Sequence, residues 1–264
     1  MTPLQDQDIQ PFTLAVQACR RVWSARDELL RLGIVPLALT FALNLWASPM
    51  LVPFLVAIES GKEIDPAVAQ SMMMPLFFAG MLSWLLNGIF AVNWMRSMLL
   101  GPSSVRGLGT MIERRHIKFV LLVVAAQIVL AFAFTLILTV IALILPVSLI
   151  ILIIAFALMG VYLTILLKLT PIWVGIAIDA PMGIRLAWAR TAGSGIKLTV
   201  SVILLSGLFL VAQSFVQLVF GVLGLLSAAP LATVFIFLFM QFVLTACVST
   251  VLVIAYPRFI SETV

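Results

Sequence analysis

Few residues in this chain have side chains that do chemistry, and their spacing narrows what that chemistry can be. The one histidine, His116, sits in Glu113-Arg114-Arg115-His116-Ile117-Lys118. A general base or pH sensor there needs a carboxylate partner, which Glu113, three residues back, supplies only on an exposed first helical turn. We therefore read His116 as an interfacial, solvated side chain. The two cysteines, Cys19 and Cys247, lack CxxC or Cys/His spacing. They imply neither a disulfide framework nor a zinc site and read as small apolar packing residues. No Ser/His/Asp arrangement, Gly-rich phosphate loop or paired buried carboxylates occurs in the sequence. No cofactor is called for, and we expect a protein that is not an enzyme.

Two polar groupings carry more. Lys168, Arg185, Arg190 and Lys197 flank a segment whose one acid is Asp179. They suit an anionic lipid headgroup or phosphate, helped by amide donors at the start of a surface helix expected over 181–192. The competing reading, which we favour, is anchoring at a membrane face by snorkelling side chains. Gln213 and Gln241 fall at similar depth, roughly 21–23 Å from the same face at about 1.5 Å per residue, so they are placed to hydrogen-bond across a helical hairpin. Gln217 stands one turn beyond Gln213, and Asn44, Asn87 and Gln127 add further amides. Interhelical bonds of about 0.6–2 kcal/mol each are the preferred reading over a polar path through the bundle, because no ionisable group stands at mid-depth.

The elements that must position these groups are helices in a membrane. The chain is 64% apolar and 9% charged, where soluble domains run near 25% charged. From Phe119 to Leu167 there is no Asp, Glu, Lys, Arg or His. As one helix that run would measure roughly 74 Å against a hydrocarbon core of about 30 Å, so it folds back as two spans, turning near Pro146. The expected fold is all-α and polytopic, a single membrane domain over 1–264 with spans at about 33–58, 72–100, 119–145, 147–167, 198–225 and 231–256. Pro36, Pro49 and Pro53 should bend or break the first span. The fourth is expected to run on past a kink at Pro171, and Asp179 with Pro181 reads as a helix start and Gly193 as a stop. Thr110 and Glu113 read as a capping box opening the third span.

Residues 11–31 form an amphipathic helix with Phe12, Val16, Cys19, Trp23 and Leu30 on one stripe and Gln17, Arg20, Arg21, Ser24, Asp27, Glu28 and Arg31 on most of the rest. It lies either in the lipid interface or on the protein's own cytoplasmic face. The first ten residues carry two acids and no Lys or Arg, so a cleavable signal peptide is not expected. Counting spans from the charge-free hairpin puts every one of the 15 Lys and Arg except Lys62 on one side. By the positive-inside rule both termini are then cytoplasmic. The net charge of +5 follows membrane edges, so lipid headgroups and not nucleic acid are the expected partners.

One stretch is familiar. In YLTILLKLTPIWVGIAIDAPMGIRLAWARTAGSG, residues 162–195, a tyrosine near a helix end (Tyr162), a basic residue (Lys168), Pro171 three on, then Trp188, Thr191 and Gly193 resemble the six-span membrane domain found alone or fused to bacterial glycerophosphodiester phosphodiesterases. The amphipathic start looks similar too. The resemblance implies a bacterial inner-membrane domain; without the phosphodiesterase barrel it implies no hydrolase activity. The sequence thus points to a non-enzymatic, lipid-associated or protein-interacting accessory module of the envelope, with other membrane proteins as further partners. The alternative is a small transporter or lipid translocator.

Overall fold

The computed structural model describes residues 10–60, 66–106, 112–144, 148–223 and 229–260. They form α1 (Pro11–Ser24), α2 (Arg26–Ser60), α3 (Pro66–Leu100), α4 (Arg114–Ile144), α5 (Ser148–Lys168), α6 (Thr170–Ala177), α7 (Ile184–Arg190), α8 (Gly195–Val222) and α9 (Pro230–Ile260), with a 3-10 turn at Pro102–Ser104. Among the described residues five helices are long and apolar enough to cross a membrane, and up to six spans result when the bent pair α5 and α6 is counted as one. The chain is an all-α polytopic membrane protein, as its hydropathy requires.

Neighbouring spans close a ring: α2 packs on α3, α3 on α4, α4 on α5, α5 on α8, α8 on α9, and α9 back on α2. Across the middle α3 also meets α9, and α6 tucks inside against α3, α4 and α9. Burial is concentrated at the end where the basic residues cluster. There Phe90, Trp94, Val174, Leu198, Ala246, Val251 and Phe259 are all at most 2% exposed, whereas Phe132, Phe156 and Phe215 toward the other end stand open. An apolar surface of that kind is stable only under hydrocarbon.

The bend between α5 and α6 measures 41° and has a local cause. Pro171 has no N–H for the Leu167 carbonyl four residues back, and its fixed φ suits the first turn of a new helix. The loosened carbonyls are then taken by side chains. Thr170 Oγ1 donates to Leu167 O, Trp173 Nε1 to Leu166 O at 3.0 Å, and Thr191 Oγ1 to Lys168 O at 3.1 Å. Pro171 therefore does kink the fourth span, and α6 continues it as an almost wholly buried segment.

Other expectations need correcting. The surface helix stops at Ser24 instead of running to residue 31. Asp27 and Glu28 sit in the first turn of α2, where the helix dipole favours acids. α2 runs unbroken through Pro36, Pro49 and Pro53 to Ser60; one lost donor per proline is tolerated in a long membrane helix. Asp179 ends a helix instead of starting one. It adopts a left-handed φ of 61°, while Asp179 N–H bonds Ile176 O and Ala180 N–H bonds Gly175 O at 2.8 Å. That is the Schellman pattern, with aspartate where glycine is usual. Gly175 lets it close, since a Cβ there would lie 2.5 Å from Ala180 O. The following helix α7 is shorter than 181–192, and Gly193, at φ 78°, follows it as expected. Thr110 lies outside the described residues, so the capping box falls there too.

Candidate functional site

At the basic end, α1 is docked by a stripe the sequence reading had not singled out: Leu14, Ala15, Ala18 and Val22 are buried where α1 meets α8 and α9. Phe12 and Trp23 remain 71% exposed on the other side, with Arg26 over the Trp23 ring at 5.9 Å. The helix is packed on the protein's own bundle, and it has two apolar faces. One is bound to the bundle and the other is open.

Charge at this end is organised around two carboxylates, Glu28 and Asp179. Arg31 forms a bidentate pair with Glu28, with Nε and Nη2 at 2.7 and 2.6 Å, and Ser97 of α3 donates to the same carboxylate at 2.6 Å. Asp179 accepts from Arg96 at 2.8 Å and from Arg115. Arg96 also reaches the carbonyls of Ser104 and Ala177, at 3.2 and 3.1 Å. A hydrogen bond from Ser97 to Glu28 ties α3 to α2, and ion pairs to Asp179, two residues after α6, tie α3 to α4.

His116 is not solvated. It is 1% exposed. Its Nδ1 accepts the Glu113 backbone N–H at 2.9 Å, so Nε2 carries the proton and donates to Asn93 Oδ1 at 3.0 Å. The flanking charges misled the sequence reading: a helix start places Arg115 and His116 about 100° apart, and the imidazole turns inward onto α3.

The four basic residues considered for a headgroup divide. Lys168 Nζ stands 4.3 Å over the Trp188 ring, and Arg190 donates to Phe259 O at 3.0 Å. Arg185 is exposed and Lys197 is partly buried on the first turn of α8. Lys168, Pro171, Trp188 and Thr191 converge on the bend of the fourth span, which gives those residues a structural task. Tyr162 lies elsewhere, its ring 5.4 Å from that of Phe134.

The amides are arranged differently from the expected hairpin pair. Among the described residues no hydrogen bond joins Gln213 to Gln241; Gln213 is half-buried and Gln217 exposed on α8. Instead Gln241 faces two adjoining cavities inside the ring. One, of about 360 Å³, is lined by Thr40 and Asn44 of α2, Ser83, Trp84 and Asn87 of α3, and Gln241 and Phe242 of α9, among apolar neighbours. The other, of about 240 Å³, shares Trp84, Asn87 and Gln241 and adds Gln127 of α4 and Thr245 of α9. Among the described residues no charged side chain lines either one. Thr40 and Asn44 lie about 14 and 20 Å along α2 from Arg31.

No family model, curated protein or solved structure matches this chain. The cavities must therefore be understood from their walls. Toward the basic end they are floored by aromatic packing: Phe90 lies 5.2 Å from Phe242 and 6.2 Å from Trp94, and Phe119 meets Trp173 of α6 edge-on at 6.2 Å. Thr40, Ser83 and Thr245 had no place in the sequence reading, because hydroxyls in a helix usually satisfy themselves on a carbonyl one turn back. Their spacing, Thr40 with Asn44 and Ser83 with Asn87 four residues apart, was the available signal.

Proposed function

We propose that this protein is a non-enzymatic, lipid-associated module of the bacterial inner membrane, with both termini on the cytoplasmic side. The observation that carries this reading is α1. It is held to α8 and α9 by Leu14, Ala15, Ala18 and Val22 while Phe12 and Trp23 stay exposed beside Arg20. Aromatic and basic groups on one open face suit the headgroup layer of an anionic leaflet. The one-sided distribution of Lys and Arg supports the orientation, and the similarity of 162–195 to a bacterial six-span domain supports the compartment.

The full chain, extracted in mild detergent and weighed by native mass spectrometry, tests this. Arg20 and Arg185 are the exposed basic residues to change, since Lys168 and Arg190 are engaged in packing. Arg20→Ala with Arg185→Ala should lower retained anionic phospholipid by about tenfold. Unchanged retention would remove the proposal. A second reading, transport or lipid translocation, is favoured by one specific observation, the polar lumen between α2, α3, α4 and α9.

A further inference from the structure

One face of α2 carries a basic residue and then a run of apolar ones. Arg26, Leu30, Gly33, Ile34 and Leu37 recur at intervals of three and four, so they share that face. Below Arg26 it meets α9 across a groove of about 290 Å³, with Leu30, Ile34 and Leu37 on one wall and Phe235, Phe239 and Val243 on the other. Among the described residues no polar side chain lines the groove. Phe242 stands between it and the polar lumen, and Leu30 and Ile34 are both more than half exposed. The groove therefore opens outward, to the bilayer.

Its depth matches one leaflet. Leu30, Ile34 and Leu37 lie about 6, 12 and 17 Å along α2 from Arg26, and half of a hydrocarbon core is about 15 Å. An acyl chain whose headgroup stands level with Arg26 thus runs along the groove. The upper end is equipped for that headgroup. Arg26 stands over the exposed Trp23 ring at 5.9 Å, the pairing of aromatic and basic groups that suits a membrane–water interface. Asp27 lies 4.0 Å from Arg26 Nε with both side chains largely exposed, a weak contact. Glu28 is already engaged by Arg31 and Ser97.

We propose that the groove between α2 and α9 holds one acyl chain of an anionic phospholipid whose phosphate is bound by Arg26 beside Trp23. The guanidinium offers paired N–H donors to phosphate oxygens, and the groove gives the chain a wall of aromatic and aliphatic side chains to pack on. A second copy of the protein in the same orientation is a poorer occupant, because it would set its own basic end beside Arg26. The site rests on the lipid-associated reading and adds to it a particular lipid, away from Arg20 and Arg185.

The experiment places the full chain in phosphatidylcholine nanodiscs containing a minor fraction of phosphatidylglycerol with a diazirine in one acyl chain. After irradiation, tandem mass spectrometry locates the adducts. Leu121 and Ile128, about 5 and 15 Å along α4 from Lys118 and more than half exposed, report ordinary contact with the same leaflet. Phe235, Phe239 and Val243 should be labelled about fivefold or more above them. Arg26→Ala should lower the groove labelling by about fivefold. Ile34→Trp, at an exposed position, should fill the groove and lower it as well, with unfolding temperatures measured in parallel to confirm that both variants fold. The same diazirine chain on phosphatidylcholine should label the groove less and be indifferent to Arg26→Ala. Arg20→Ala with Arg185→Ala should leave groove labelling unchanged, so a failure at α1 and a failure at the groove are read separately. The inference is overturned if the groove and α4 positions label equally, if neither Arg26→Ala nor Ile34→Trp changes groove labelling, or if that labelling follows Arg20 and Arg185 instead of Arg26. It is equally overturned if the phosphatidylcholine probe labels the groove as strongly, or if native mass spectrometry shows a dimer whose groove stays unlabelled.

Discussion

Trp94 donates its indole N–H to the Thr250 hydroxyl at 2.9 Å, and both side chains are fully buried between α3 and α9. Thr250 in turn donates to Ala246 O at 2.7 Å, so one hydroxyl accepts across the helix pair and donates within its own helix. This contact lies on the line where α3 crosses the ring, just below the polar lumen. It fixes the register in which Asn87 and Gln241 come to face the same space.

Thr250→Val keeps the volume and removes the acceptor, leaving an indole N–H stranded in the core. We expect a loss of about 1–2 kcal/mol, seen as a lower unfolding temperature in detergent. Thr250→Ser should lose less than Thr250→Val, since the hydroxyl survives. A cycle with Trp94→Phe decides the cause, because the Thr250→Val penalty should shrink once the indole N–H is gone. Equal penalties in both backgrounds would assign the effect to packing alone.

Asp179 combines a left-handed backbone with a carboxylate that receives Arg96 and Arg115. The two roles separate by substitution. Asp179→Asn keeps the tolerance for positive φ but loses the charge, Asp179→Gly keeps only the backbone freedom, and Asp179→Ala keeps neither. The expected order of stability is Asp, then Asn, then Gly, then Ala, with Asp to Ala spanning about 2–3 kcal/mol. Asp179 is itself more than half exposed, so the buried side of the interaction is Arg96 and Arg115 and the electrostatic part stays modest. Protease cleavage after residue 179 in the intact protein should rise in the same order. An alanine variant as resistant as the wild type would contradict the assignment.

Sequence alone carried the spans, because runs without charge are long enough to count and proline at 171 marks a break whose carbonyls need new donors. It could not carry the ring. In a membrane helix every face is apolar, so hydropathy is silent about which spans are neighbours. Thus Gln241 was assigned to Gln213 on its hairpin partner, whereas it faces Asn87 and Gln127 across the lumen. His116 and Asp179 were misread for a related reason. Both stand among charged or turn-forming neighbours, and what decided their roles was a distant residue, Asn93 for one and Arg96 for the other. Thr40 was invisible because nothing in a sequence tells a threonine bonded to its own helix from one that is not.

The two cysteines, read separately from sequence, are neighbours in the fold, Cys19 on α1 and Cys247 on α9. Cys247 is 2% exposed, covered where α1 docks, so its reactivity reports whether α1 is seated. In a Cys19→Ser background Cys247 should react with a maleimide only through transient opening of the α1 contact. Ala18 is fully buried on the docking stripe, and Ala18→Phe puts a ring where there is no room, which should lift α1 and speed labelling of Cys247 by about tenfold or more. Intact mass against time gives the rate, and the unfolding temperature of the bundle shows whether only α1 has moved. Identical labelling rates in the two proteins would mean that Cys247 is shielded by α8 and α9 alone and that α1 contributes nothing to its protection.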